Sequence, residues 1–427
     1  MKLSTVLSPL SPENLRLAAQ CGVEGVVTRY PGPHVADLLA TKTKIEAHGL
    51  ELAGIEGFLP IEKIKTGTDT DGAELAAMKT LIEQMGEAGI PLLCYNFMAG
   101  TDWVRTRLDA PERGGARVTA FSLDESEKAM SLNSADASIS TDSISAEVLW
   151  GNLEAFLKEL IPVAEKAGVT LAMHPDDPPL PEFSGKARIM NSVDNFERLF
   201  ALVPSERNSM CFCQGTFSTM GVDIPKTIDR LGKHIAYVHF RDVRGTAESF
   251  VETFQDNGPT DMAAAIRSLK SAGFTGPIRP DHVPEMEGDV DGEPGYTVLG
   301  RLFAFGYIRG LLHGTTCSAK KDMSQISRLP KGWFVSGEED TTRLHNELQL
   351  ELPPEHILYG KPVQVVAHRE GTDDVLCRHN DNPDRFTVIH LSWAMKEEIN
   401  RDHPTVEVDG GYESFLSYEA RFQRNEK

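Results

Sequence analysis

The chain has 427 residues, of which 40% are hydrophobic and 25% charged, an ordinary globular composition with enough apolar material for a large core. A small disulfide-stapled scaffold and wholesale disorder are both excluded. The formal net charge is -20, and no Lys/Arg-rich run offsets it locally, which excludes nucleic acid and anionic membrane surfaces as partners.

The opening stretch MKLSTVLSPLSPENLRL has a short apolar patch broken by Ser and Pro, unlike the continuous apolar segment of a signal peptide. No apolar run approaches the ~18 residues that span a bilayer. A cytoplasmic location is expected. The cysteines, Cys21, Cys94, Cys211, Cys213, Cys317 and Cys377, are too sparse for a disulfide framework. Reduced thiols are therefore expected, available as metal ligands where histidines stand beside them.

From Leu3 to about His313, short apolar runs of strand length alternate with longer amphipathic stretches. The strands are read as LSTVLS from Leu3, VEGVVTR from Val23, ELAGIEG from Glu51, PLLCYNF from Pro91, TLAMHP from Thr170, SMCFCQG from Ser209, IAYVHFRD from Ile235 and GPIRPDH from Gly276. Helical stretches such as SPENLRLAAQ, HVADLLATKTKIEAH, GAELAAMKTLIEQMGEAG and AEVLWGNLEAFLKELIPVAEKAG lie between them. Pro12 suits a first helical turn, and Gly22, Gly49, Gly89 and Gly168 each stand where a left-handed helix cap is wanted. Eight strand-then-helix units favour a closed (β/α)8 TIM barrel over an open doubly wound sheet, as does the absence of a GxGxxG turn after the first strand.

One connection breaks the rhythm. From Met98 to Ser145 the chain runs through GTDWVRTR, ERGGARVTA and SLNSADASISTDS. Its start is expected to cover the site, with Trp103 as an apolar plug, and its Ser-rich end to be mobile. The barrel domain is assigned to residues 1–315, a polar linker to 316–330, and a small α+β domain of unknown role to 331–427. In that last domain QLELPPEHILYGKPVQVVAHREGTDDVLCRH and RFTVIHLSWA read as strands, and KEEINRD and ESFLSYEARFQRNE as helices. His368, His379, His390 and His403 lack metal-ligand spacing and are read as solvated or hydrogen-bonding residues.

The chemistry is expected at the ends of strands five to eight, which carry His174, Cys213, His239 and Asp281. In a barrel these ends converge on one mouth. Two imidazoles, a thiolate and a carboxylate suit Fe, Mn, Co or Zn, and a catalytic metal with open positions fits a barrel mouth better than a structural zinc. Cys211 is read as alternating with Cys213, so that only one of them faces inward; Cys213 is preferred because Gly215 allows close approach of backbone to ligand. Cys94 is read as core. Asp176 and Asp177 are read as loop-fixing residues in preference to acids or bases. Arg279, Asn96, Arg105, Trp103 and Arg301 are assigned to substrate, with Arg279 suited to a carboxylate and Arg105 and Arg301 adding local positive charge.

The segments CYNFMAGTDWVRT, MHPDDPP, CQGTFS, VHFRD, NGPTDM, RPDH and PGYTVLGRL, in that order, resemble the mannonate dehydratase family of xylose-isomerase-like barrels over residues 1–313. The resemblance implies a (β/α)8 fold, a Mn2+ or Fe2+ requirement, and dehydration of D-mannonate to 2-dehydro-3-deoxy-D-gluconate in hexuronate breakdown. It implies metal ligands at His174, Cys213, His239 and Asp281, and an acid/base pair at Asp281 and Tyr296, with His282 and Arg279 nearby. One segment departs from the family pattern: where FHE followed closely by a second His is typical, this chain has Phe250, Val251, Glu252, Thr253, Phe254 and Gln255.

Dehydrating a sugar acid means taking the C2 proton next to a carboxylate and protonating the departing 3-hydroxyl. Tyr296 is the candidate base, its pKa lowered by metal and Arg279, and Asp281 or His282 the acid. The alternatives are a sugar isomerase or epimerase of the same barrel group, and a barrel that binds a sugar acid without turnover. The expected partner is a small anionic substrate, and a homo-oligomer is compatible with a barrel of this size.

Overall fold

In the computed structural model, residues 1–132, 143–290, 292–315, 329–336, 338–380, 382 and 384–423 are described. The chain divides into two compact units, Met1–Ala319 and Lys320–Lys427. The linker expected at 316–330 and the Ser-rich end of the long connection lie largely outside the described residues.

All eight expected strands form: β1 Lys2–Thr5, β2 Gly25–Thr28, β3 Glu51–Glu56, β4 Leu92–Tyr95, β5 Thr170–Met173, β6 Asn208–Cys213, β7 Ile235–His239 and β8 Pro277–Arg279. They close in sequence order into a barrel in which every pairing is parallel. Alternation along each strand sorts the side chains. Val27, Ala53, Leu92, Cys94, Ala172, Cys211 and Tyr237 fill the barrel interior, while Val26, Leu52, Leu93, Leu171, Phe212 and Val238 pack outward in the cluster shared with the helices.

The helices start and stop by local chemistry. Ser11, Ser145, Ser192, Asp223 and Asp261 accept hydrogen bonds from the first exposed amides of their helices, which satisfies donors that have no partner within the helix. Gly168 ends the long helix Ala146–Ala167 at φ 72°, a conformation that costs a side-chain-bearing residue but not glycine.

The connection after β4 is more structured than its polar composition implies. Its strands Arg107–Pro111 and Arg117–Ser122 join Val243–Thr246 and Ser249–Glu252, from the connection after β7, in one four-stranded sheet. Neither segment could form this sheet alone. Val251 turns to Ala110, Val118 and Ala120, which leaves Phe250 and Glu252 on the opposite, buried face.

The second unit is a five-stranded antiparallel meander, β9 Trp333–Val335, β10 Val363–Arg369, β11 Asp374–His379, β12 Arg385–His390 and β13 Thr405–Gly411, with helices Glu338–Glu351 and Tyr412–Gln423. Two readings are corrected. The QLE of QLELPP ends a helix, because Leu344, Leu348 and Leu352 recur at helical spacing and pack on the sheet. KEEINRD forms no helix; its one large apolar residue, Ile399, is 98% exposed, so no buried face repays the ordering. The four histidines each find a local partner: Ser336 for His368, Thr387 for His379, Asp374 for His390 and Thr405 for His403.

Candidate active site at the barrel mouth

A cavity of about 410 Å³ opens at the C-terminal ends of the strands, where barrel side chains converge. His174 directly follows β5, while Cys213 and His239 are the last residues of β6 and β7. Their donor atoms lie within 4.8 Å of one another, and His174 Nε2 stands 3.2 Å from His239 Nδ1. Asp281, two residues past β8, joins them, with Oδ1 3.6 Å from His239 Nδ1 and Oδ2 3.8 Å from Cys213 Sγ. Donors bound ~2.0–2.3 Å from one cation stand at about such separations.

Electrostatics fit the same use. Burial opposes charge on Cys213, but Arg241 and His174 outweigh it and hold the thiol well below its usual range. Burial also opposes charge on His174, yet Cys213 outweighs it and raises the imidazole to about 10. This thiolate and imidazolium pair is the arrangement a divalent cation replaces when it displaces the proton. Asp281, too, is held well below the ordinary carboxylate range against its burial, by His282, Arg279, His239 and Arg241.

Asp281 adopts φ 54°, a conformation rare for a residue with a side chain. Three carbonyls around it are clamped. Gln255 Nε2 donates to Pro280 O at 3.3 Å and His282 O at 3.1 Å, and Arg301 Nη2 donates to Asp281 O at 3.2 Å. Next in the chain, His282 stacks on Trp103 with ring centroids 4.2 Å apart and pairs its Nδ1 with Glu252 Oε1 at 2.9 Å. Tyr296 OH lies 3.4 Å from Asp281 Oδ1.

The D-mannonate dehydratase (UxuA) family model matches residues 9–322. The chain belongs to that family. A mannonate dehydratase of Oceanobacillus iheyensis is 34% identical over 295 residues, covering 64% of this chain and 84% of the relative. One from Streptococcus suis is 34% identical over 328 residues, covering 70% and 89%. The crystal structure of the Streptococcus suis serotype 2 mannonate dehydratase superposes with a TM-score of 0.66 at 32% identity, over 78% of this chain and 96% of that one. Most of the C-terminal unit lies beyond the family match.

Within this mannonate dehydratase barrel, His174, His239, Asp281, His282, Tyr296, Arg279, Asn96 and Trp103 line the cavity. Arg105 and Arg301, assigned to substrate from sequence, stand behind the wall. Arg105 is fully buried and spends its guanidinium on Asp177 and Glu252, and Arg301 lies under the Tyr296 ring at 4.5 Å. Asp177 is held by Arg105 and Arg241, and Asp176 accepts from Met190 N at 2.6 Å, so both fix loops.

Two further readings change. Residues two apart on a strand share a face, so Cys211 and Cys213 both point inward, Cys211 into the interior layer with Cys94. Gly215 makes room for a side chain and not for a ligand: a Cβ there would come 2.6 Å from Arg241 Nη1. Tyr296 also departs from expectation. Burial raises its pKa, and Arg279 and Arg29 oppose this without overcoming it.

Sequence reasoning missed Arg29, Glu56, Lys65 and Arg241. Arg29 follows β2 and lines the cavity, its Nε making no hydrogen bond. Glu56 ends β3 and takes Arg279 Nη2 at 2.9 and 3.0 Å. Lys65, from the short helix Glu62–Thr66, reaches Asn96 Oδ1 at 3.0 Å. The rule applied to strands five to eight, when applied to strands two and three, finds the first two.

Proposed function

We propose that this chain removes water from D-mannonate to give 2-dehydro-3-deoxy-D-gluconate, as a metal-dependent hydro-lyase of hexuronate breakdown. The observation that carries the reading is the convergence of His174, His239 and Asp281, with the buried Cys213 beside them, at a cavity that Arg29, Lys65 and Arg279 also line. These three cations give a substrate carboxylate local partners at a mouth that Glu56, Glu62, Asp102, Asp177 and Asp281 also line. Arg29 and Arg279 each keep an Nε without a hydrogen bond, although Glu56 engages Arg279 Nη2.

The four donors would hold Mn2+ or Fe2+, which supplies Lewis-acid stabilisation of charge on the substrate carboxylate and 2-hydroxyl. The protein's own residues divide the proton traffic. Glu252 accepts from His282 Nδ1, which leaves the Nε2 lone pair for the C2 proton; Trp103 holds the ring by stacking. The raised phenol of Tyr296 stays protonated at neutral pH and donates to the departing 3-hydroxyl. This assignment reverses the base role read from sequence. A cytoplasmic setting, which keeps thiols such as Cys213 reduced, accords with free cysteines at Cys21, Cys94, Cys211, Cys213 and Cys377. No helix among the described residues is long and apolar enough to cross a membrane.

The test is to load the protein with Mn2+ or Fe2+, supply D-mannonate and a panel of other aldonates, and follow products by mass. A 2-keto-3-deoxy acid lighter by one water is expected from mannonate. An isomer of unchanged mass, or no product from any aldonate, overturns the reading.

A further inference from the structure

Below the donors of the proposed catalytic metal lies a second group, which shares His239 with them and adds two thiols that the dehydration does not use. Cys94 on β4, Cys211 on β6 and His239 at the end of β7 are all buried, and their donor atoms lie within 4.8 Å of one another. Cys94 lines the cavity, so an ion entering the mouth meets this thiol directly. The two cysteines stand on strands separated by β5. At ~4.8 Å per strand their Cα atoms are about 9–10 Å apart, beyond the ~6.8 Å that a disulfide tolerates. The pair is thus placed to share a ligand and not to bond to itself.

We propose that Cys94, Cys211 and His239 form a second cation site for a thiophilic d10 ion, Zn2+ or Cd2+, and that its filling inhibits the enzyme by taking His239 from the first. The proposed inhibition rests on the dehydratase reading; the binding does not. His239 presents Nδ1 to His174 and Nε2 to Glu56, and Nε2 makes no hydrogen bond although Glu56 Oε1 stands 3.2 Å away. Nε2 is the nitrogen for the thiol side, with Glu56, which pairs with Cys94 across β3 and β4, as the neighbouring carboxylate for a fourth position. A neutral imidazole has one lone pair, so His239 serves one site at a time.

Softness separates the two sites. Two thiolates favour zinc or cadmium over manganese, whereas the upper set with one thiolate and one carboxylate accepts harder ions. Charge balance favours the lower site as well. Binding releases one proton from each thiol, and two thiolates neutralise the dication, so little net charge enters the apolar layer of Val27, Ala53, Leu92 and Ala172.

The experiment uses the full-length, metal-free protein carrying Cys213→Ser, which removes the upper thiolate. Titration with Cd2+ should give an ultraviolet thiolate-to-cadmium band saturating at one equivalent with the intensity of two thiolates. Adding Cys94→Ser or Cys211→Ser to that background should abolish at least half of it, and the alanine versions should do the same if a serine variant fails to fold. In Mn2+-loaded protein that retains Cys213, Cys94→Ser with Cys211→Ser should weaken inhibition by Zn2+ at least tenfold. No band in the Cys213→Ser protein, a band indifferent to Cys94 and Cys211, or Zn2+ inhibition unchanged in the double variant overturns the proposal. Because cadmium binding is read without substrate, it can succeed in a protein that proves inactive on mannonate.

Discussion

Arg241 ties the mouth of the barrel together, and replacing it by Met tests the network directly. The guanidinium is 1% exposed and donates to Asp281 Oδ2 at 2.7 Å, Asp177 Oδ2 at 2.8 Å and Glu252 Oε2 at 3.1 Å. Arg241→Met leaves three buried carboxylates sharing Arg105, Arg279 and His282. Breaking a buried ionic cluster on one side costs about 3–5 kcal/mol. The acid side supports the same scale. Burial opposes the Glu252 charge, but Arg241, His282 and Arg105 bring its pKa down to about 2 from an ordinary 4.5; at ~1.4 kcal/mol per pH unit, that is about 3 kcal/mol from this group. With ~2.1 cal/mol/K per residue over Met1–Ala319, the unfolding entropy is about 0.7 kcal/mol/K, so Tm should fall by about 4–7 °C in calorimetry at pH 7. The sign with pH is fixed by linkage. A depressed carboxylate stabilises above its unfolded pKa and loses that contribution as pH falls through its folded value, so the gap between wild type and variant should narrow from pH 4.5 towards 2. Arg230→Met, which removes an exposed pair with Asp194 and Glu197, is the control and should leave Tm unchanged. A drop below 1 °C for Arg241→Met, or a gap that widens in acid, would refute the reasoning.

Other perturbations probe the turn and the proton path. In Gly300→Ala the new Cβ would collide with the Pro284 carbonyl, just past His282; a loss of about 1–3 kcal/mol in urea unfolding is expected, with kcat down at least ~10-fold as the turn shifts. Glu252→Gln removes the charged acceptor behind His282 Nδ1, so kcat at pH 7 should fall about 10–100-fold with KM little changed; an unchanged kcat would remove His282 from the base role. Gln255→Leu frees the carbonyls on both sides of Asp281 and should weaken Mn2+ affinity about 10–100-fold while the far-ultraviolet circular dichroism stays native. Stripping the metal should abolish calorimetric binding of D-mannonate as well as turnover, because the protein carries -20 and the carboxylates of Glu56, Glu62, Asp102, Asp177 and Asp281 outnumber Arg29, Lys65 and Arg279 around the cavity. Equal affinity with and without metal would contradict that.

What could be read without coordinates follows the range of the forces involved. Strand and helix periodicities are local, so eight strands and their order were legible, and a parallel barrel then forces successive strand ends together. That is why His174, Cys213, His239 and Asp281 could be grouped from residues as much as 107 positions apart in the sequence. The second unit was harder: Leu344 and Leu348 lie in a stretch where short apolar runs fit helix or strand equally well.

By itself the sequence determined the barrel, its mouth and the residue types gathered there, because alternation and helix-stop signals act within a few residues. Tertiary structure alone decided which charges face substrate and which face each other. Arg105 and Arg279 look alike in sequence, yet Arg105 is consumed by Asp177 and Glu252 behind the wall while Arg279 reaches the cavity. That difference comes from the sheet shared by the connections after β4 and β7, a pairing between segments 127 residues apart, from Ser122 to Ser249. Such a contact leaves no local periodicity to read, because its stability comes from burial and hydrogen bonds that exist only once both segments have met.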